Sequence, residues 1–208
     1  MANQSLPVVA AFDFDGTLTY LDSLFPFLWT VVGTLRFTQY LTKVSPILLA
    51  YKCGYLSNHE AKQRVLTRFL SGQNLAKLEQ SAEYFIQYPL PYLLRGKALQ
   101  RLAWHQCQNH RCILVSASLE LYLKPWANKI GFTAVLGSRL ELTIDGLVTG
   151  RLNGENCYGD EKIRRLTALL GDRRNYCLYA YGDSEGDQAL LDYADYAYYR
   201  QFPMENVF

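Results

Sequence analysis

A chain of 208 residues, half of them apolar and 19% charged, holds enough material for one medium-sized core, or for a core with a smaller insertion. A net charge of +2 with no Lys/Arg-rich run argues against nucleic acid as a partner. Five scattered cysteines without a Cys-x-x-Cys pair fit reduced thiols in a cytoplasmic protein, and neither a secretory pattern nor an apolar stretch of the roughly twenty residues that a spanning helix needs is present.

Val8 to Phe12 is an apolar run that reads as a buried strand, and it ends in Asp13-Phe14-Asp15-Gly16-Thr17. Asp13 and Asp15 share the two-residue period of a strand and so point the same way. Two carboxylates are costly at the end of a buried strand, and that end is where an open α/β sheet places its active site. From Tyr20 to Tyr88 the pattern becomes helical, with breaks expected near Gly33, Pro46, Gly54 and Ser71-Gly72, and with an N-cap at Ser57 or Asn58. Pro89-Leu90-Pro91 ends this segment.

A helix is expected from about Tyr92 to Asn109, then a short buried strand at Cys112–Val115 that delivers Ser116-Ala117-Ser118. The cluster His105 to Cys112 does not match common zinc spacings and is read as a helix end. Further on come a helix at Leu119–Ile130, a strand at Ala134–Leu136 and a hairpin turning at Asp145-Gly146. A helix from Asp160 carries Lys162, and a strand at Tyr176–Ala180 delivers Gly182-Asp183-Ser184 and then Asp187. A short helix and a strand at Tyr196–Tyr199 close the pattern. Strands alternating with helices predict an α/β fold with a parallel sheet and right-handed crossovers.

Polar groups thus fall at or just after the ends of several strands: Asp13 and Asp15, Ser116, Lys162, and Asp183 with Asp187. In order and spacing they resemble the four motifs of the haloacid dehalogenase (HAD) superfamily of aspartate-nucleophile phosphotransferases. The resemblance implies a Rossmann-like parallel sheet, with a catalytic core over residues 1–19 and 90–208 and a helical cap inserted over 20–89. It implies a Mg²⁺-dependent phosphomonoester hydrolase in which Asp13 is the nucleophile, Asp15 the acid and base, and Lys162 the neutralising cation. Asp13, Asp183 and the Asp15 carbonyl would hold the metal, Ser116 would donate to a phosphoryl oxygen, and Gly182, Ser184 and Asp187 would support them. An acid at Asp15 favours a phosphatase over the ion pumps and dehalogenases of the superfamily. The alternative reading is a catalytically silent relative that binds phosphate or Mg²⁺.

The insertion after the first motif resembles subfamily IB, the group containing phosphoserine phosphatase. By that likeness Asp22 and Arg64 join Thr17, Ser116 and Ala117 as substrate-binding residues, although Asp22 also reads as the N-cap of the first cap helix. From Tyr20 to Arg95 there are eight basic and four acidic residues, with unusually apolar stretches at Leu24–Trp29 and Pro46–Tyr51. This composition is similar to the cap of bacterial phosphatidylglycerophosphate phosphatases of type C. The expected partner is therefore a phosphorylated small molecule or a lipid phosphate, in a cytoplasmic protein whose cap is available for peripheral contact at the inner membrane face.

Overall fold

The computed structural model describes residues 6–203. Its strands, in chain order, are β1 (Val8–Phe12), β2 (Arg111–Leu119), β3 (Ala134–Ser138), β4 (Leu140–Leu142), β5 (Val148–Leu152), β6 (Cys177–Gly182) and β7 (Tyr196–Tyr199). Five of them form one parallel sheet in the order β3-β2-β1-β6-β7, while β4 and β5 make a separate antiparallel ribbon. β1 is central: Phe12 lies opposite Leu114 on one side and Tyr181 on the other. The connections diverge from β1 in both directions, so the topological switch point opens at its carboxyl end.

Alternation along β1 explains why the strand is apolar throughout. Ala10 and Phe12 enter a core shared with Leu114, Tyr181 and the helices between β1 and β2. Val9 and Ala11 enter a second core with Ile113, Val115, Leu166 and Leu178. A strand covered on both faces has no polar side to present.

The helices are α1 (Leu24–Lys52), α2 (Asn58–Leu70), α3 (Leu75–Gln87), α4 (Gly96–Cys107), α5 (Glu120–Lys129), α6 (Asp160–Leu170) and α7 (Gln188–Asp192). α1 is interrupted at Gly33, whose φ of 75° and ψ of 167° are non-helical. Leu24 and Phe25 from one end of α1 and Leu48 and Tyr51 from the other line a single cavity, so the chain doubles back at this glycine. A straight helix would hold those ends about 40 Å apart.

Pro46 does not break the helix as expected. Proline removes the N–H that would bond to the carbonyl of Thr42, and the Ser45 hydroxyl donates to that carbonyl instead, at 2.8 Å. α2 is capped as its sequence suggests, with the Ser57 hydroxyl accepting from Glu60 N and the Glu60 carboxylate accepting from Ser57 N. α2 also lies against β5 at Gly150, where a Cβ would fall 2.3 Å from Thr67 Cα. The ribbon thus packs directly on α2.

β2 is longer than its apolar run implied. It continues through Ser116-Ala117-Ser118 to Leu119, which pairs with Ser138 of β3 after an irregularity. The His105 to Cys112 stretch is indeed a helix end: His105 is buried, its Nε2 is 2.8 Å from the Tyr181 hydroxyl and its Nδ1 is 2.7 Å from His110 Nδ1. Burial, with the Arg101 and His110 charges, pushes the His105 imidazole down to about 3 and keeps it neutral.

Candidate active site

The carboxyl ends of β1, β2 and β6 and the first turn of α6 converge on one buried point. β1 runs into Asp13, whose N–H still bonds to Tyr181 O at 2.9 Å. The chain then turns tightly, with Phe14 O accepting from Leu18 N at 2.8 Å and Thr19 N at 3.0 Å. Gly16 makes this turn possible in two ways. Its φ is +79°, and a Cβ there would fall 2.2 Å from Asp183 Oδ2.

Lys162 is 2% exposed and joins the acids: its ammonium lies 2.6 Å from Asp13 Oδ1 and 2.5 Å from Asp187 Oδ1. The other oxygen of Asp187 accepts from Asp183 N at 3.1 Å, Ser184 N at 3.0 Å and Ser184 Oγ at 2.8 Å. Both Asp187 oxygens are therefore committed, which makes this residue the anchor of Lys162 and of the β6 loop. Gly182 permits that approach, since a Cβ there would sit 2.4 Å from Asp187 Cβ. The Thr17 hydroxyl donates to Asp183 Oδ1 at 3.3 Å, so in this structure Thr17 holds the β6 loop.

Carboxylate oxygens of Asp13, Asp183 and Asp187 lie within 4.8 Å of one another. Burial raises the Asp13 carboxyl to about 7 against the pull of Lys162. Asp183 is raised by burial and by the charge of Asp187. Lys162 is held above its ordinary value because Asp13 and Asp187 outweigh the cost of its burial. Asp187 is held low by Lys162 and its hydrogen bonds despite burial.

Asp15 has a separate setting. Ser23 N donates to its Oδ1 at 2.8 Å and the Ser118 hydroxyl donates to its Oδ2. Tyr122 OH lies 2.9 Å from both Ser118 Oγ and Ser23 Oγ, completing a buried hydroxyl cluster. Burial and the Asp22 charge raise the Asp15 carboxyl to about 7, and the two serines oppose this. Ser116 is buried within β2, three residues before its end, with Ser118 N donating to its Oγ at 3.1 Å.

A cavity of about 150 Å³ opens beside Asp15 and is lined by Asp22, Ala117 and Ser118, by Leu24 and Phe25, and by Asn58, Lys62 and Val65 among others. Asp22 is exposed at this cavity, and its Oδ1 accepts from Leu24 N, the first N–H of α1, at 2.8 Å, although the N-cap position itself is Ser23. Arg64 is not brought here. It is exposed and lines a different groove with Gln63, Thr67 and Arg151. The cation that α2 delivers is Lys62, which donates to Ala117 O and, at 3.1 Å, to Asn156 Oδ1. Burial lowers its ammonium to about 8, against the attraction of Asp15 and Asp22.

Lys62 and Ser118 escape a reading based on motifs alone, yet both carry a periodic signal. Residues 58, 61, 62 and 65 form an i, i+3, i+4, i+7 stripe that faces the cavity, and residue 64 lies off it. Ser118 is two residues beyond Ser116 on the same strand.

Known proteins resemble this chain in sequence and in fold. Residues 10–192 match the family described as haloacid dehalogenase-like hydrolase. Protein CicA of Caulobacter vibrioides is 34% identical over 196 residues, covering 94% of this chain and 87% of that protein. A histidinol-phosphatase of Neisseria meningitidis is 29% identical over 116 residues, covering 52% of this chain and 51% of that one. The fold is shared with a solved phospho-aspartyl intermediate analogue of phosphoserine phosphatase, at a TM-score of 0.63, 16% identity and coverage of 91% and 84%. With its matched span running from the middle of β1 to the end of α7, the chain belongs to the haloacid dehalogenase-like hydrolase family.

Proposed function

We propose that the protein is a Mg²⁺-dependent phosphomonoesterase that works through an aspartyl-phosphate on Asp13, with residues 20–89 acting as its cap. The observation that carries this reading is the pairing of two differently furnished carboxylates: Asp13 is bound to a buried ammonium, whereas Asp15 is bound to hydroxyl and amide donors beside a cavity. The first arrangement suits a nucleophile and the second a proton carrier.

In the first half of the reaction an Asp13 oxygen bonds to phosphorus, the ester P–O bond breaks, and Asp15 delivers its proton to the departing oxygen. In the second half Asp15 takes a proton from water, the water oxygen bonds to phosphorus, and the bond to Asp13 breaks to release inorganic phosphate. Lys162 offsets the charge on Asp13 throughout, and the Ser116 hydroxyl would donate to a phosphoryl oxygen. The all-oxygen donors fit Mg²⁺: Asp13, Asp183 and the Asp15 carbonyl would hold it, and the cradle at Gly16 leaves Asp183 room beside them. When bound, Mg²⁺ supplies positive charge to the phosphoryl oxygens.

The raised carboxyl of Asp15 sets a pH dependence. A general acid must be protonated, so kcat/KM with a poor leaving group should fall as pH rises through about 7. The Ser118 hydroxyl stabilises the ionised form of Asp15. Ser118→Ala should therefore move the alkaline limb to higher pH, which a pH–rate profile measures.

The small cavity favours a short phosphorylated metabolite. The exposed Trp29 and Leu35 near the Gly33 reversal, on a helix with Arg36, Lys43 and Lys52 and no acid, favour a second reading in which the substrate is a lipid phosphate at a membrane surface. No helix among the described residues is long and apolar enough to cross a membrane. A phosphate-release screen with phosphoserine, histidinol phosphate, sugar phosphates and detergent-dispersed phosphatidylglycerophosphate distinguishes these readings. Expected is release that a chelator stops and Mg²⁺ restores. Mg²⁺ binding without release from any ester would support the silent relative instead.

A further inference from the structure

An open groove of about 590 Å³ shares no lining residue with the cavity beside Asp15. Arg95, Lys97 and Arg200 line it together with Tyr20 and Phe202, and no acidic residue does. Among the described residues none of these three cations forms an ion pair. Like charges gathered in one groove repel one another, and an anion placed among them removes that cost.

Two of the cations are already fixed by the backbone. Arg95 Nη2 donates to Gly16 O at 2.8 Å, and its guanidinium lies over the Tyr20 ring, 4.9 Å from the centroid. Its Nε is buried without an acceptor among the described residues. Arg200 Nε donates to Asp183 O at 2.8 Å, and its backbone N–H bonds to Gly182 O at 2.8 Å. Arg200 also holds a φ of 56°, a left-handed conformation that long side chains seldom adopt and that surrounding structure must maintain. The carbonyls occupy a minority of the five donors on each guanidinium. Side chains immobilised in advance lose little further freedom when a ligand arrives. Lys97 is exposed in the first turn of α4, where the helix dipole also favours an anion.

Size and charge select the ligand. One phosphate would fill a small part of the groove and leave two cations unmatched, whereas linked phosphates offer several oxygens in the paired geometry that guanidinium groups accept. We propose that the groove binds a polyphosphate anion, two or more linked phosphate groups, either free or as part of a nucleotide whose ring system lies against Tyr20 and Phe202. The bound anion sits on the turn after Asp15 and on the loop at Asp183 without entering the cavity beside Asp15. This site does not depend on the phosphatase reading.

Isothermal titration calorimetry of the intact protein tests it, with diphosphate, ADP and inorganic phosphate in metal-free buffer at about 0.15 M salt. Without a divalent ion, the clustered carboxylates of Asp13, Asp183 and Asp187 repel such anions from the active site. Diphosphate should bind one to one and about tenfold or more tighter than phosphate. Tighter binding of ADP than of diphosphate identifies a nucleotide as the ligand; equal or weaker binding identifies the linked phosphates alone. Lys97→Glu and Arg200→Gln should each weaken diphosphate by about tenfold, as expected for one charge-assisted hydrogen bond. Lys97→Glu changes an exposed side chain and keeps the test decisive should a thermal melt show that Arg200→Gln has lost its fold. The double variant Arg64→Gln, Arg151→Gln removes two charges from a separate groove and should leave the affinity within about twofold. Wild type that fails to bind diphosphate below about 1 mM, or binds phosphate equally well, overturns the proposal. So does an equal loss in the Arg64 and Arg151 control, which would show attraction by overall charge alone.

Discussion

Asp13→Asn is expected to lower turnover by about 10⁴-fold or more while leaving the fold intact. The substitution keeps the size and shape of the side chain but replaces the oxygen that must bond to phosphorus with a far weaker nucleophile. Stability should change little, because Lys162 keeps its bond to Asp187 at 2.5 Å and so does not become an unpaired buried charge. Circular dichroism and a thermal melt report the fold, and steady-state phosphate release reports the chemistry. Retained activity would remove Asp13 from the reaction.

Lys162→Met is expected to damage both stability and catalysis. Asp13, Asp183 and Asp187 have oxygens within 4.8 Å of one another, and Lys162 is the ammonium that bonds to two of them. Methionine approximates the volume and removes the charge. Breaking a buried ion pair in this way costs about 3–5 kcal/mol, and loss of charge stabilisation at the phosphoryl group lowers turnover by about 10²–10³-fold. Urea unfolding without metal measures the first effect. Added Mg²⁺ should recover part of the stability, since a divalent cation also neutralises the carboxylates. The deficit should shrink toward acid pH, where protonated carboxyls no longer repel. A stability unchanged at neutral pH would show that Lys162 does not offset these acids.

The parallel core was legible because its signal is simple. β1 and β6 are apolar throughout since both faces are covered, and each hands directly to acids that have no place in a core. The break at Gly33 was equally readable, though not the reversal it produces, whereas Pro46 was misleading: proline normally breaks a helix interior, but the local bond from Ser45 to the Thr42 carbonyl offsets the missing donor. β2 was read too short because Ser116-Ala117-Ser118 is small and polar, and only pairing to β3, a long-range contact, extends the strand.

The acids and Lys162 were legible for the same reason as the core, since a strand end or a helix start fixes where each one points. Arg64 was not, because choosing which cation of α2 faces inward requires knowing which stripe of the helix is covered. Ser23, Tyr122 and Asn156 carry no motif; they become relevant only when distant segments bring hydroxyls and amides beside Asp15 and Lys62.

The most direct test of the account is to trap the phosphorylated chain. Asp15→Asn with 4-nitrophenyl phosphate, whose leaving group scarcely needs a proton, should pass the first half of the reaction and stall in the second. After rapid acid quench, intact-mass measurement and peptide mapping should find one phosphoryl group, on the peptide containing Asp13. A chain that releases 4-nitrophenol yet carries no phosphate, or carries it on a residue other than Asp13, would contradict the mechanism.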